Sequence, residues 1–219
     1  MKKAAIALTL CFVTNLLFAQ TTPPFRKEVD ALKKKDSIEK PAPNSILFTG
    51  SSSFTKWTDV QSYFPGYPIL NRAFGGSTLV DLIRYADEII IPYHPKQILI
   101  YCGENDIAAS DTVTAKTVLY RFQTLLSIIR KQLPAVPVVF VSIKPSPVRW
   151  KFQPVVREAN RIIREFIGTQ PNTSFVNIYN AMLKPDRYAI PEIFISDSLH
   201  MNAKGYAIWQ PILLPVLKK

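Results

Sequence analysis

Residues 46–53 read Ile-Leu-Phe-Thr-Gly-Ser-Ser-Ser: an apolar run without polar alternation, then a glycine, then three hydroxyls. A strand buried on both faces has this pattern. It recurs at Pro68-Ile69-Leu70, Ile98-Leu99-Ile100-Tyr101, Val138-Val139-Phe140-Val141 and Phe175-Val176-Asn177-Ile178. Between these runs the apolar period becomes helical. One stripe is Leu79, Leu82, Ile83, Ala86, Ile89 and Ile90, and the next is Val118, Leu119, Phe122, Leu125, Leu126 and Ile129. Val155, Val156, Ala159, Ile162, Ile163 and Phe166 form a third. Tyr206, Ile208 and Trp209 open a last helix that Pro211 is expected to bend or shorten. Strand alternating with helix predicts an α/β fold, a parallel sheet covered on both faces.

Outward from this frame, residues 25–40 are rich in charge, with Val29, Leu32 and Ile38 loosely spaced. They are read as an amphipathic leading helix ending before Pro41. At 219 residues, 47% hydrophobic and 20% charged, the chain suits one globular domain and excludes disordered and fibrous classes. No repeat, linker or low-complexity tract interrupts 41–219. The start resembles a signal peptide over 1–19: Lys2 and Lys3, an apolar stretch from Ala4 to Phe18, and a small-residue exit at Ala19. The expectation is cleavage after Ala19 and a secreted or periplasmic protein. The stretch is too short and too interrupted by Thr and Asn for a comfortable membrane span, so no stable membrane insertion is expected. Leu10 is too bulky to precede an acylated Cys11. Cys102, in an apolar run, is read as a small buried hydrophobe.

Two distant cysteines provide neither a zinc framework nor a disulfide lattice, and no metal site is expected. The net charge is +11, and loss of Lys2 and Lys3 with the leader would lower it by two. A basic secreted protein either lingers at anionic surfaces or simply carries a solvated basic face. No dense Lys/Arg patch with interleaved aromatics points to nucleic acid. The sequence carries no signal of oligomeric state.

The chain has only seven glycines, and Gly50, Gly75, Gly76 and Gly103 all follow strands, where such sheets bind ligands. A serine at 51–53 either caps the next helix or acts as a nucleophile. Phe54 occupies the second position after Ser52, so the Gly-x-Ser-x-Gly elbow is absent. A phosphate-loop lysine is absent too. Of two histidines, His94 lies at the amino end of the third strand and is read as a loop residue. His200 follows Asp197 by three, close enough for one turn to join carboxylate and imidazole. After the third strand come Gly103-Glu104-Asn105-Asp106. Asn105 either forms a turn or donates its amide to an oxyanion, and the Gly76 N–H is a second candidate donor.

Together these segments resemble the SGNH hydrolases, the GDSL esterase/lipase superfamily, and look closest to its platelet-activating-factor acetylhydrolase branch. Gly50-Ser51-Ser52 resembles the Gly-Asp-Ser block, Gly75-Gly76 the glycine block, 103–106 the Gly-x-Asn-Asp block and 197–200 the Asp-x-x-His block. Ser51 stands where the family usually has Asp. The resemblance implies a three-layer α/β/α sandwich with a five-stranded parallel, flavodoxin-like sheet, here over 41–219 after a leading segment at 20–40. It implies catalysis by Ser52, His200 and Asp197, an oxyanion hole from the Ser52 and Gly76 N–H groups and the Asn105 amide, and no cofactor. No long apolar lid points to an interfacial lipase. Trp150, in the loop after the fourth strand, either binds substrate or packs as a loop aromatic. Trp57 is read as core. The expected function is a secreted serine esterase removing short-chain acyl groups, O-acetyl on carbohydrate foremost. The alternatives are a lipid-type short-chain esterase and a silent carbohydrate or cell-surface binding module.

Overall fold

The five apolar runs form five parallel strands: β1 (Ile46–Gly50), β2 (Ile69–Asn71), β3 (Gln97–Tyr101), β4 (Val138–Val141) and β5 (Thr173–Val176). This computed structural model describes residues 22–219, so the expected leader lies outside the described residues. Spatial order is β2-β1-β3-β4-β5. Around the sheet lie α1 (Arg26–Ile38), α2 (Ser52–Thr55), α3 (Val60–Tyr63), α4 (Leu79–Ile89), α5 (Glu104–Ala109), α6 (Ala115–Gln132), α7 (Gln153–Ile167) and α8 (Ala203–Leu213).

The missing polar alternation has its cause in the packing. Leu47, Ile98, Ile100, Val138 and Phe140 point into one core, with α1, α4, α6 and α7. Their neighbours Ile46, Phe48, Leu99, Tyr101, Val139 and Val141 point into a second core, with α2, α3 and α8. Trp57 and Trp209 are fully buried there, and Trp57 stacks on Tyr206 at 4.6 Å. Cys102 is buried as expected.

Local signals set the helix starts. Thr78 accepts from the Asp81 N–H while Asp81 caps the Thr78 N–H, and Thr114 with Thr117 repeats the device at α6. The leading helix is held by charge as well as by Val29. Arg26 and Lys33 both meet Glu88 of α4, and Asp36 takes the Arg72 guanidinium and the Tyr93 hydroxyl. Strand ends elsewhere shift by a residue or two, and two departures from the sequence reading stand out. The last strand lies two residues earlier, because Ser142 Oγ accepts the Ile178 and Tyr179 N–H groups at 3.0 and 3.2 Å and draws them off the ladder. α8 runs through Pro211 to Leu213 before passing into a 3₁₀ turn, Leu214–Val216.

Because β1 sits between β2 and β3, connections leave it toward both sides. The crevice at the carboxyl ends of β1 and β3 is the switch point where sheets of this order bind ligands.

Candidate active site

The exit of β1 is shaped by Gly50. Its φ is +132°, and a Cβ there would lie 2.0 Å from the Tyr101 carbonyl oxygen, so only glycine lets β1 and β3 lie this close. The Ser51 N–H donates to that oxygen at 2.9 Å, and the Phe54 and Thr55 N–H groups return to the Ser51 carbonyl. This knot places Ser52 at the first position of α2, half-exposed at the switch point.

His200 arrives from the loop between β5 and α8. An antiparallel bridge between Phe194 and Met201 closes the base of that loop, and Ser198 turns it at φ +55°. Asp197 Oδ1 accepts the Leu199 and His200 N–H groups at 2.9 and 2.8 Å, a local turn for which Asp is well suited. Its other oxygen meets His200 Nδ1 at 2.6 Å, and His200 Nε2 lies 3.0 Å from Ser52 Oγ. Burial pushes the Asp197 carboxyl up, but the His200 ring and the two N–H donors outweigh it and hold it at about 2. The carboxylate is therefore ionised at neutral pH. It fixes the proton of a neutral imidazole on Nδ1 and leaves the Nε2 lone pair facing the alcohol. His94, by contrast, is exposed at the amino end of β3.

Residues 103–106 divide their work. Asp106 is fully buried, accepts the Leu79 N–H at 2.9 Å at the start of α4 and takes Arg121 at 2.8 Å. It anchors two helices. Asn105 faces the crevice: its Nδ2 donates to Ser51 Oγ at 2.7 Å and to the Ser77 carbonyl at 3.0 Å. Its Oδ1 accepts from Arg149 Nη1 at 2.9 Å. Ser51, buried, thus meets the amide where the resembled family carries Asp.

At the exit of β2, Gly76 has φ +84°. A Cβ on Gly75 would come 3.9 Å from Ser52 Cβ, whereas one on Gly76 would face the ring of Phe25 at 3.5 Å. Among the described residues, the Ser52, Gly75 and Gly76 N–H groups find no acceptor in the protein. Unpaired N–H groups of this kind, at Ser52 and in the glycine turn whose Gly75 lies against it, suit a developing oxyanion.

Trp150 lies in a 3₁₀ turn, Pro147–Phe152, whose Val148 N–H donates to the Ser198 carbonyl in the His200 loop at 3.3 Å. Its ring rests on Tyr188 at 4.3 Å. The sequence reading did not single out Arg149 or Phe25. Arg149 adjoins Trp150, and the loop itself was the signal. Phe25, with φ +62°, packs edge-on against Phe74 and over Gly76, and nothing in its sequence neighbourhood announced that contact. Among the described residues no three His, Cys, Asp or Glu gather as metal ligands, and no helix is long and apolar enough to cross a membrane.

Solved structures share this architecture. A Streptococcus pneumonia protein named for platelet activating factor superposes with a TM-score of 0.75 at 20% identity, over 88% of this chain and 92% of that one. A GDSL-like lipase from Bacteroides thetaiotaomicron gives 0.73 at 16%, over 86% and 96%. A catalytic mutant of the acetylxylan esterase Axe2 from Geobacillus stearothermophilus gives 0.63 at 15%, over 80% and 95%. At these identities the likeness establishes the fold. A search of the curated proteins found no match. Residues 42–208 match the GDSL-like lipase/acylhydrolase family, and with three quarters of its length inside that match the chain belongs to this family and is an ester-bond hydrolase.

Proposed function

We propose that the protein is a secreted serine esterase that removes short-chain acyl groups, O-acetyl groups of carbohydrate foremost, through an acyl-enzyme on Ser52. The observation that carries this is the 3.0 Å approach of His200 Nε2 to Ser52 Oγ, with Asp197 holding the opposite ring nitrogen. Ser52 Oγ attacks the ester carbonyl as its proton passes to His200. Asp197 stabilises the imidazolium. The oxyanion meets the Ser52 N–H, an N–H of the Gly75-Gly76 turn and the Asn105 amide. His200 then protonates the leaving alcohol, and water, activated by the same base, releases the acid.

The acetyl and carbohydrate parts draw support from the site's surroundings. The Trp150–Tyr188 pair offers an aromatic platform of the kind on which sugar rings stack, and the acetylxylan esterase shares the fold. The apolar, charged-start leader supports secretion. A lipid-type ester is the second reading, favoured by the fold shared with the protein named for platelet activating factor.

Ser52→Ala is the test. Wild-type enzyme is expected to hydrolyse p-nitrophenyl acetate and to bind a fluorophosphonate probe covalently, and the variant to do neither while melting normally. Turnover by Ser52→Ala at the wild-type rate would refute the assignment. A panel of acetylated sugars and p-nitrophenyl esters of rising chain length separates sugar from lipid substrates.

A further inference from the structure

We propose that Arg149 is a positioning residue: anchored by a buried Glu104–Lys144 pair, it orients and polarises the Asn105 amide that receives the oxyanion. This rests on the esterase reading above and adds a component to it.

The amide has two possible orientations, and only one presents N–H groups to the crevice. An arginine can donate but not accept, so the atom 2.9 Å from Arg149 Nη1 is the Asn105 oxygen. Nδ2 must then face Ser51 and the site. A charged donor on the amide oxygen also draws electron density from nitrogen and makes each N–H a stronger donor. Both Nδ2 hydrogens are engaged here, by Ser51 Oγ and the Ser77 carbonyl. Service to an oxyanion requires the amide to share one of them. The hydroxyl of Ser51 can rotate to release its hydrogen bond, while the oxygen stays pinned on Arg149.

Arg149 is itself held from behind. Glu104 lies 3.7 Å from the same Nη1. Its carboxylate is buried and receives Lys144 Nζ, Ser146 Oγ and, at 3.0 Å, the Tyr101 hydroxyl. Lys144 is 1% exposed. Burial pushes the Glu104 carboxyl up, but Lys144 and Arg149 outweigh it and keep it ionised. A buried ion pair is a weak source of stability, so its placement directly behind a site residue argues for a positional role. The Arg149 guanidinium brings positive charge directly to the Asn105 oxygen, the sign that assists a developing oxyanion.

The experiment measures p-nitrophenyl acetate hydrolysis by wild type, Ser52→Ala, Arg149→Ala, Arg149→Lys, Asn105→Ala and the Arg149→Ala/Asn105→Ala double variant, with melting temperatures. Arg149→Ala is expected to lower kcat by about 10- to 100-fold, less than loss of the oxyanion donor itself, with KM within about threefold. Added guanidinium should restore part of that kcat and equal ammonium should not, a rescue that a general loss of folding would not show. Arg149→Lys should keep more activity than Arg149→Ala. The double variant should match Asn105→Ala, because once the amide is gone there is nothing left to orient. Losses that multiply, an effect on KM alone, or an unchanged kcat would overturn the proposal while Ser52-dependent hydrolysis stands. Absence of any Ser52-dependent hydrolysis would refute the esterase reading and this one with it.

Discussion

An imidazole removes a proton from an alcohol only when its bare nitrogen faces that alcohol, and here Asp197 decides which nitrogen is bare. Its carboxyl, held at about 2, is ionised at neutral and mildly acidic pH, so the Nδ1 proton has an acceptor there. The donors proposed for the oxyanion are less alike. Backbone N–H groups at Ser52 and the Gly75-Gly76 turn are fixed by the chain, whereas the Asn105 amide is a side chain and can be removed alone. Asn105→Ala is expected to lower kcat by about 10²- to 10³-fold with little change in KM, read by steady-state kinetics alongside a melting curve. A purely structural Asn105 would instead lose melting temperature and keep full activity per folded molecule. At this scale the sequence exposed the side chains that chemistry makes scarce: two histidines, one of them three residues after an aspartate, narrow the base to His200. It did not reveal Arg149 among 27 Lys and Arg residues, because a guanidinium's role depends on what it meets across 44 residues of chain. Nor could spacing say which glycine lies against Ser52. That emerges only in the folded chain, where a Cβ on Gly75 would come 3.9 Å from Ser52 Cβ.

Helix α1 shows how an element with few buried residues is held. Val29 is its one fully buried side chain, Leu32 packs partly buried on the same core, and Arg26, Lys33 and Asp36 add ionic contacts. Arg26 above all, and then Lys33, hold the Glu88 carboxyl at about 2 against an ordinary 4.5. A carboxyl depressed on folding stabilises the fold above its unfolded value, and that contribution fades as pH falls from about 4.5 toward 2. Partial exposure screens it, so Glu88→Gln is expected to cost about 1 kcal/mol at pH 7. The gap in melting temperature between variant and wild type should shrink steadily below pH 4.5 and close near pH 2. A gap independent of pH would mean that packing, and not the ion pairs, holds α1. Charge-rich residues with a loose apolar period were enough to expect this helix, but not its partners. The misplaced end of β5 has a similar origin. Phe175 to Ile178 are apolar enough for a ladder, yet the Ser142 hydroxyl takes the Ile178 and Tyr179 N–H groups, and a competing side chain 36 residues away leaves no trace in local pattern.

The whole molecule has two cores with one sheet between them. Successive residues of β1, β3 and β4 feed opposite cores, so neither face can lose its strands without stripping the other. That division was implicit in apolar runs without alternation, which demand cover on both faces, and the helical stripes between them supplied the cover. All three tryptophans report on one side only: Trp57 and Trp209 are buried in the second core and Trp150 packs against it. Phe140 belongs wholly to the first, against Phe122 at 4.7 Å. Phe140→Ala should therefore remove about 3–5 kcal/mol from a face that contains no tryptophan. If the shared strands couple the cores, tryptophan fluorescence on the untouched face should lose its midpoint by the same amount as far-UV circular dichroism. For a chain of this size the shift in both should be at least about 6 °C. A fluorescence midpoint that stays near the wild-type value while the dichroism midpoint falls would mean that the helices of the first face melt away from a sheet that keeps its second face intact, and the two cores would then be separate cooperative units.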